Sequence, residues 1–177
     1  MPTKITMPFT AEIISCLKVG EEILLSGEIF TARDAAHKRM VEMLDANVML
    51  PFELDGQVVY YAGPCPAPPG KVIGSIGPTT SARMDVYTPR LIKEGLKIMI
   101  GKGERSPAVI SAIREYKGLY LAAVSGAGAL LSLCVKRAEL IAFEDLGTEA
   151  VYKLEVHNMP LVVAVDSRGN NIYGLRG

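Results

Sequence analysis

The sequence predicts an α/β domain with a mixed, partly parallel sheet and flanking helices. Short apolar runs alternate with helical patterns through its second half, an order typical of parallel strands covered by helices. Of the 177 residues, 49% are hydrophobic, which at this length supports one core, and residues 1–177 are expected to form a single domain. Polar loops at residues 77–85 and 101–103 each follow an apolar run, so ligands are expected beyond the carboxyl ends of strands.

The first half of the chain predicts two hairpins separated by a helix. Residues 11–18 and 23–30 alternate apolar and polar side chains on either side of a glycine turn, which is typical of paired strands. Residues 33–44 carry their apolar side chains on one helical face and are expected to be helical. Residues 51–62 predict a second hairpin, because Asp55-Gly56 is a strong turn signal.

The second half predicts helices and strands in alternation. One helix is expected to end at residues 91–95, and Ser106-Pro107 indicates the start of the next. Apolar runs predict strands at residues 72–76, 97–100, 119–124, 139–143 and 159–165. A helix is also expected to begin near Ala82.

Charge and hydropathy exclude several classes of function. Nineteen acidic and nineteen basic residues cancel and form no dense basic run, so a polynucleotide partner is not expected. Residues 1–8 lack the apolar stretch of a secretory signal, and a cytoplasmic location is expected. The uncharged residues 119–135 are short for a membrane span and are interrupted by Ser125-Gly126-Ala127-Gly128, so they are expected to form a buried strand, a turn and a buried helix.

The three cysteines predict neither a metal site nor a disulfide framework. Cys16, Cys65 and Cys134 are odd in number and widely spaced, whereas zinc and cluster sites use close pairs. Buried or half-buried thiols are the ordinary expectation. Cys65 is the exception, because the proline-rich loop around it is rigid enough to hold the thiol exposed.

Thr79, Thr80, Arg83 and Lys102 form a candidate site for a small anion. The spacing of a nucleotide-binding phosphate loop is absent around Gly101-Lys102-Gly103, so a nucleotide is not expected. Alternative interpretations are that the two threonines cap a helix and that Lys102 is a solvated loop lysine. Arg83 near a helix start favours a bound anion, since helix N-termini repel cations.

Arg33 and His37 raise a similar question. They lie one helical turn apart and could face a common ligand, although a lone histidine is more often structural. From the residues alone, the prediction stops at an α/β domain with a candidate small-anion site.

The chain resembles the beta subunit of the class I, iron-sulfur-dependent fumarate hydratases and L-tartrate dehydratases, which is equivalent to the C-terminal domain of the single-chain enzymes. The likeness covers almost the whole length and rests on several motifs in one order. These are Ala32-Arg33-Asp34-Ala35-Ala36-His37, Tyr60-Tyr61-Ala62-Gly63-Pro64, Gly74-Ser75-Ile76-Gly77-Pro78-Thr79-Thr80, Arg83-Met84-Asp85, Gly101-Lys102-Gly103 and Leu146-Gly147-Thr148-Glu149-Ala150.

The resemblance implies a swivelling β/β/α domain that supplies half of an active site. In the family, a four-iron four-sulfur cluster is held by cysteines of an alpha subunit, and not by this chain, which is expected to be inactive alone. The implied reaction is reversible hydration of fumarate to L-malate, a small dicarboxylate. The implied partner is the cluster-bearing alpha subunit, in a higher oligomer of alpha-beta pairs.

The same resemblance implies roles for four residues of this sequence. Arg33 and Arg83 match the family's substrate-binding arginines, and Lys102 matches its binding lysine. Thr79 matches the residue that takes part in proton transfer. The chain departs from the family pattern at Ser81-Ala82, where Ala-Gly is common, and this change removes no charged group.

Two other functions stay open. An L-tartrate dehydratase beta subunit would share the cations, and the sequence does not separate it from a fumarate hydratase. A non-catalytic anion-binding or interaction domain could reuse the fold, since a fold does not fix a function.

Overall fold

The computed structural model describes residues 1–123 and 127–175. The described strands are β1 (Thr3–Thr6), β2 (Glu22–Thr31), β3 (Val58–Tyr60), β4 (Ile98–Gly101), β5 (Leu119–Ala122), β6 (Val135–Ala142) and β7 (Val151–Val165). The described α-helices are α1 (Ala11–Cys16), α2 (Asp34–Asp45), α3 (Thr88–Lys93), α4 (Pro107–Tyr116) and α5 (Gly128–Ser132). Short 3₁₀ helices cover Ser81–Met84, Glu144–Glu149 and Ile172–Leu175.

The strands form one mixed sheet that closes on itself. Strands β2, β3, β4 and β5 are parallel neighbours, and β7 joins β5 back to β2 by antiparallel pairing on both sides. Outside this ring, β1 pairs with β2 and β6 pairs with β7. The predicted α/β class and partly parallel sheet are therefore confirmed as a mixed α/β domain with a closed sheet.

The core lies on both faces of the central strands. Along β3, β4 and β5, alternate residues belong to two different apolar clusters, since Val58 and Tyr60 lie in one and Val59 and Tyr61 in the other. The second cluster includes the buried sides of α2, α3 and α4, among them Met40. Burial on both faces explains why these strands appear in the sequence as continuous apolar runs.

The first predicted hairpin is wrong. Strand β2 is present, but residues 11–16 form α1, and the hydroxyl of Thr10 caps this helix by accepting a hydrogen bond from the Ile13 amide at 3.2 Å. Ile14 and Leu17 are buried at helical spacing. The predicted helix at residues 33–44 is confirmed as α2.

Two further predictions in the middle of the chain are wrong. Residues 51–62 contain β3, which is parallel to both of its neighbours, and not a hairpin. Residues 72–76 are irregular; a Cβ at Gly74 would lie 2.6 Å from the carbonyl oxygen of Cys65, so backbone packing against the proline-rich loop replaces a strand there.

The second half follows the sequence more closely. Strands β4, β5, β6 and β7 overlap the predicted runs, and Ser106 caps α4 by accepting a hydrogen bond from the Val109 amide at 3.3 Å. Strand β7 begins at Val151, earlier than the predicted residue 159. Exposed polar residues such as Glu155 and His157 interrupt its first half, so that half forms no continuous apolar run in the sequence. Within residues 119–135 the buried strand is present, and the predicted turn falls mainly on residues 124–126, outside the described residues. The helix is also present as α5, but the expectation that it is buried is wrong, because Leu130 is exposed and of its leucines only Leu131 is buried. Among the described helices, none has the length and hydropathy needed to cross a bilayer.

Candidate active site

Two of the predicted site residues follow the carboxyl ends of parallel strands, and the segment that carries the other two, Thr79 and Arg83, is hydrogen-bonded beside a third strand. Arg33 lies just after β2, and Lys102 lies just after β4. The amide of Thr79 donates a hydrogen bond of 2.6 Å to the carbonyl of Tyr61, the residue after β3. Parallel strands end at one edge of a sheet, so the closed sheet collects these segments at the edge where α/β folds bind ligands.

Arg33 is held between a glycine and a carboxylate. It is the N-cap residue of α2, and its side chain packs so closely on Gly63 that a Cβ there would lie 2.9 Å from Arg33 Cδ. Glu149 lies 4.0 Å from Arg33 Nε and also accepts a hydrogen bond of 3.3 Å from the Ala35 amide. Gly63 therefore leaves room for the Arg33 side chain, and Glu149 faces its buried Nε at more than hydrogen-bond distance.

Arg83 forms an ion pair with the residue that follows Arg33. Its Nε donates to Oδ2 of Asp34 at 2.9 Å, while 54% of the Arg83 side chain stays exposed. Asp34 also lies in the first turn of α2, where a negative charge is favoured by the helix dipole. Asp34 thus links the two arginines, whose segments are distant in sequence.

The helix expected near Ala82 is a single 3₁₀ turn, Ser81–Met84. One turn is too short to develop a helix dipole, so the position of Arg83 does not indicate a bound anion on that ground. Thr80 occupies the N-cap position, but its side chain makes no capping hydrogen bond in the described structure. Helix capping therefore does not account for the Thr79-Thr80 pair.

The loop that carries Lys102 is joined to the segment that carries Thr79 and Arg83. The Ser81 amide donates to the Lys102 carbonyl at 2.9 Å, and the Lys102 amide donates to Ser81 Oγ at 3.0 Å. A Cβ at Gly101 would lie 2.0 Å from Ser81 Oγ, so only glycine permits this approach. Lys102 is half-buried and is not a fully solvated loop lysine.

His37 is a buried structural residue. Its Nδ1 lies 2.8 Å from the Arg33 carbonyl oxygen, which can only accept, so Nδ1 carries the proton. Burial lowers the pKa of His37 to about 4, and its ring meets the Tyr61 ring edge-on at 5.2 Å. His37 therefore binds the Arg33 carbonyl as a neutral, buried side chain and does not face a ligand shared with the Arg33 side chain.

Several polar residues of this region were not predicted as site residues. Ser81 is fully buried and joins two loops, and Arg105 forms a buried ion pair with Asp85 at 2.7 Å. The only sequence signal for Ser81 is that it is a polar residue next to the Gly77-Pro78-Thr79-Thr80 motif. The sequence gives no signal for Arg105, because charged residues are rarely fully buried.

The cysteines are not gathered at this edge of the sheet. Cys65 is exposed in its proline-rich loop, and Cys134 is partly buried. The expectation of a buried or half-buried thiol is wrong for Cys16, which is exposed in the short helix α1. Within residues 1–123 and 127–175, no three His, Cys, Asp or Glu side chains are grouped to hold a metal ion.

A separate cleft lies at the opposite edge of the sheet. It has a volume of about 490 Å³ and is lined by Lys97 and Lys117, which precede β4 and β5, together with Asp55 and apolar residues of α1. The Lys97 ammonium donates to the Tyr116 carbonyl at 2.5 Å. This lysine is thus used within the fold, and the cleft contains none of the four site residues.

Comparison with known proteins places the chain beside hydro-lyase subunits. The model of the Fumarase C-terminus family matches residues 3–175. A candidate L(+)-tartrate dehydratase subunit beta of Methanocaldococcus jannaschii is 44% identical over 170 residues, covering 93% of this chain and 87% of the relative. The L(+)-tartrate dehydratase subunit beta of Escherichia coli K12 is 31% identical, covering 95% and 85% of the two chains.

Class I fumarate hydratases are also similar to the chain, but they are much longer. The anaerobic class I fumarate hydratase of Escherichia coli K12 is 38% identical over 162 residues, covering 90% of this chain and 30% of the relative. The chain therefore matches about a third of such an enzyme and most of a tartrate dehydratase beta subunit. On this evidence, the chain belongs to the Fumarase C-terminus family.

Proposed function

We propose that the chain is the beta subunit of a two-subunit fumarate hydratase, which adds water reversibly to fumarate to give L-malate. The observation that carries the proposal is that Arg33 and Lys102 follow parallel strands at one edge of the sheet, where hydrogen bonds also hold the segment that carries Thr79 and Arg83. Membership of the Fumarase C-terminus family supports a hydro-lyase role, and the relatives of similar length are named beta subunits.

Arg33, Arg83 and Lys102 hold a carboxylate of the substrate in this proposal. A guanidinium presents parallel N–H groups that match the two oxygens of a carboxylate, and lysine adds a compact charge. Asp34 orients Arg83 through a hydrogen bond of 2.9 Å, and Glu149 lies 4.0 Å from Arg33 Nε; 54% of the Arg83 side chain and 26% of the Arg33 side chain stay exposed. The exposed remainder is the part that meets the substrate.

Thr79 transfers the proton next to the bound carboxylate. In hydration, one alkene carbon gains hydroxide and the other gains a proton; in the reverse direction, Thr79 Oγ1 receives that proton while its own hydroxyl proton passes to an acidic residue of the alpha subunit. A hydroxyl is a weak base in water, so this role requires a site closed to solvent and cations close by. The Lys102 backbone is bridged to Thr80, so the loop of Lys102 lies beside the residue that follows Thr79. The cations stabilise the doubly charged aci-carboxylate that forms as the proton leaves.

The other half of the active site belongs to an alpha subunit in this proposal. That subunit carries a four-iron four-sulfur cluster, which supplies a Lewis acid for the departing hydroxide. In this proposal the contribution of the present chain is to bind and orient the substrate and to move a proton. The chain acts as a swivelling domain that closes over the cluster, within an oligomer of alpha-beta pairs.

L-tartrate dehydration is the second candidate function. The 44% identical relative from Methanocaldococcus jannaschii, matched over 87% of its length, is named for tartrate. The same cations bind either dicarboxylate, and the additional hydroxyl of tartrate is the group that separates the two substrates. A non-catalytic binding domain would have no evident need for Thr79, Arg33, Arg83 and Lys102 together.

Anaerobic co-purification with a tagged chain in its own host tests the proposal. We expect an iron-containing complex that hydrates fumarate, measured by loss of fumarate absorbance, and no activity from the chain alone. A complex that ignores fumarate and dehydrates L-tartrate would establish the second candidate. A chain without an iron-containing partner would contradict both and favour a binding domain.

A further inference from the structure

A buried arginine lies among the segments that carry the site residues. Arg105 follows the Gly101-Lys102-Gly103 loop and is only 5% exposed, with its side chain fully covered. A charged group is taken out of water at a cost of several kcal/mol unless it is paired and hydrogen-bonded. Its partners therefore indicate what the fold gains from keeping it.

Arg105 binds three other parts of the chain. Its Nε donates to Asp85 Oδ1 at 2.7 Å, and its Nη2 donates at 3.1 Å to both the Tyr61 hydroxyl and Thr88 Oγ1. The guanidinium also lies over the Tyr61 and Tyr120 rings, at 5.1 and 4.7 Å from their centroids.

Two of these contacts lead directly to site residues. The Tyr61 carbonyl accepts the hydrogen bond of 2.6 Å from the Thr79 amide. Asp85 lies two residues after Arg83, and its Oδ2 accepts a hydrogen bond of 2.6 Å from the Ser106 amide. Asp85 thereby ties the segment of Arg83 to the loop that follows Lys102.

Tyr120 completes the connection to Lys102. Its hydroxyl donates to the Gly103 carbonyl at 2.8 Å and lies 2.8 Å from Ser81 Oγ, which must then be the donor. Ser81 Oγ accepts from the Lys102 amide at 3.0 Å. Arg105 therefore contacts, through one intermediate residue each, the segments of Thr79, Arg83 and Lys102.

We propose that the Arg105–Asp85 pair is a positioning device that sets the distances between Thr79, Arg83 and Lys102. Buried ion pairs contribute little net stability compared with apolar residues, whereas a planar guanidinium with several fixed partners defines geometry. A displacement of about 1 Å at a reacting centre can reduce a rate about a hundredfold. The kinetic part of this inference rests on the proposed function.

The test compares Arg105→Lys and Asp85→Asn with the wild-type complex and with Arg39→Lys. Arg39 is the matched control, because it binds Asp145 through two hydrogen bonds of 2.8 Å on the surface. We expect kcat of the complex to fall about a hundredfold in the first two variants, with a smaller change in KM. The control should keep the wild-type kcat.

Amide hydrogen exchange on the full-length chain supplies a readout that does not depend on activity. Faster exchange should be confined to residues 79–88 and 101–106 in Arg105→Lys, while α2 and β7 keep their protection. Uniformly faster exchange, or wild-type exchange together with wild-type kcat, would overturn the proposal. If the wild-type complex has no hydro-lyase activity, the proposed function fails, and exchange alone decides the positioning claim.

Tyr120→Phe keeps the test decisive if Arg105 variants fail to fold. It removes the hydroxyl that joins Ser81 and Gly103, and it keeps the ring on which the guanidinium lies. We expect a fall of about tenfold in kcat and faster exchange at residues 101–106 only, as for one lost hydrogen bond. Unchanged kcat and exchange in this variant would contradict the proposed network.

Discussion

Replacing Arg83 by alanine should separate the role of this residue in turnover from its role in folding. The side chain is 54% exposed, and its ion pair with Asp34 is partly solvated. Such pairs contribute about 0–1 kcal/mol after solvent screening, so the free energy of unfolding should fall by less than about 1 kcal/mol. A cation that stabilises charge developing in the transition state contributes ~3 kcal/mol, so turnover should fall roughly a hundredfold.

The assay measures kcat/KM of the anaerobic complex for fumarate, together with thermal unfolding of the chain. Arg83→Lys should lie between wild type and alanine, because it keeps the charge and loses the planar fork. Arg39→Ala is the control: this arginine is 36% exposed and also loses an ion pair with an aspartate, Asp145. It should show a similarly small loss of stability and wild-type turnover.

A folded Arg83→Ala chain that binds its partner and turns over fumarate at the wild-type rate would refute the assignment of Arg83. An equal fall in turnover in the Arg39→Ala control would also refute it, since a general effect of removing a positive charge would then explain the fall. A large loss of stability in Arg83→Ala alone would show that Arg83 holds the fold and does not act mainly on the substrate.

Two further predictions concern stability. The folded-state pKa of His37, about 4, lies below its ordinary 6.5, so stability present above pH 6.5 is lost as the pH falls towards 4, by at most about 3 kcal/mol. His37→Asn should reduce that loss in acid-unfolding curves, and the exposed His157→Asn should not. Gly101→Ala should destabilise the chain by about 1–3 kcal/mol in urea, because its Cβ would meet Ser81 Oγ at 2.0 Å. Gly77→Ala, with its nearest neighbour at 3.7 Å, should be close to neutral.

Each of these has a contradicting outcome. An acid-unfolding curve for His37→Asn that matches that of the wild type would mean that the buried histidine does not cause the loss of stability at low pH. Equal stability of Gly101→Ala and Gly77→Ala would show that Ser81 can move away, and that the backbone approach at Lys102 is not required.

The elements that the sequence predicts correctly are those whose signals come from interactions between neighbouring residues and not from tertiary contacts. Ser106-Pro107 predicted the start of α4, because capping is a local interaction between neighbouring residues. Residues 11–18 were assigned to a strand because their short apolar pattern fits both periods, and the helix is selected by the Thr10 cap and the burial of Ile14. The short strand β3 lies within a predicted hairpin, and the sequence gives no sign of its parallel partners because they lie far away along the chain.

The sequence motifs indicate the residues of the candidate site, but they do not predict the contacts that support those residues. The loop of Lys102 follows a strand as predicted, and loops after parallel strands gather at one edge. The loop of Thr79 follows no strand and reaches the same edge through its hydrogen bond to Tyr61, which the sequence does not predict. The pairing of Arg83 with Asp34 joins residues 49 positions apart, and that of Ala35 with Glu149 joins residues 114 apart. Such contacts depend on how the sheet closes, and no local pattern encodes them.

The most direct test of the central claim is an anaerobic titration of the chain into its cluster-bearing partner, with the hydration rate followed at each step. If this chain supplies half of the active site, the rate should rise from zero and saturate at one chain per partner. A Lys102→Ala chain should saturate at the same ratio with almost no activity. A partner that hydrates fumarate fully without the chain, or a Lys102→Ala chain that restores the wild-type rate, would contradict the account.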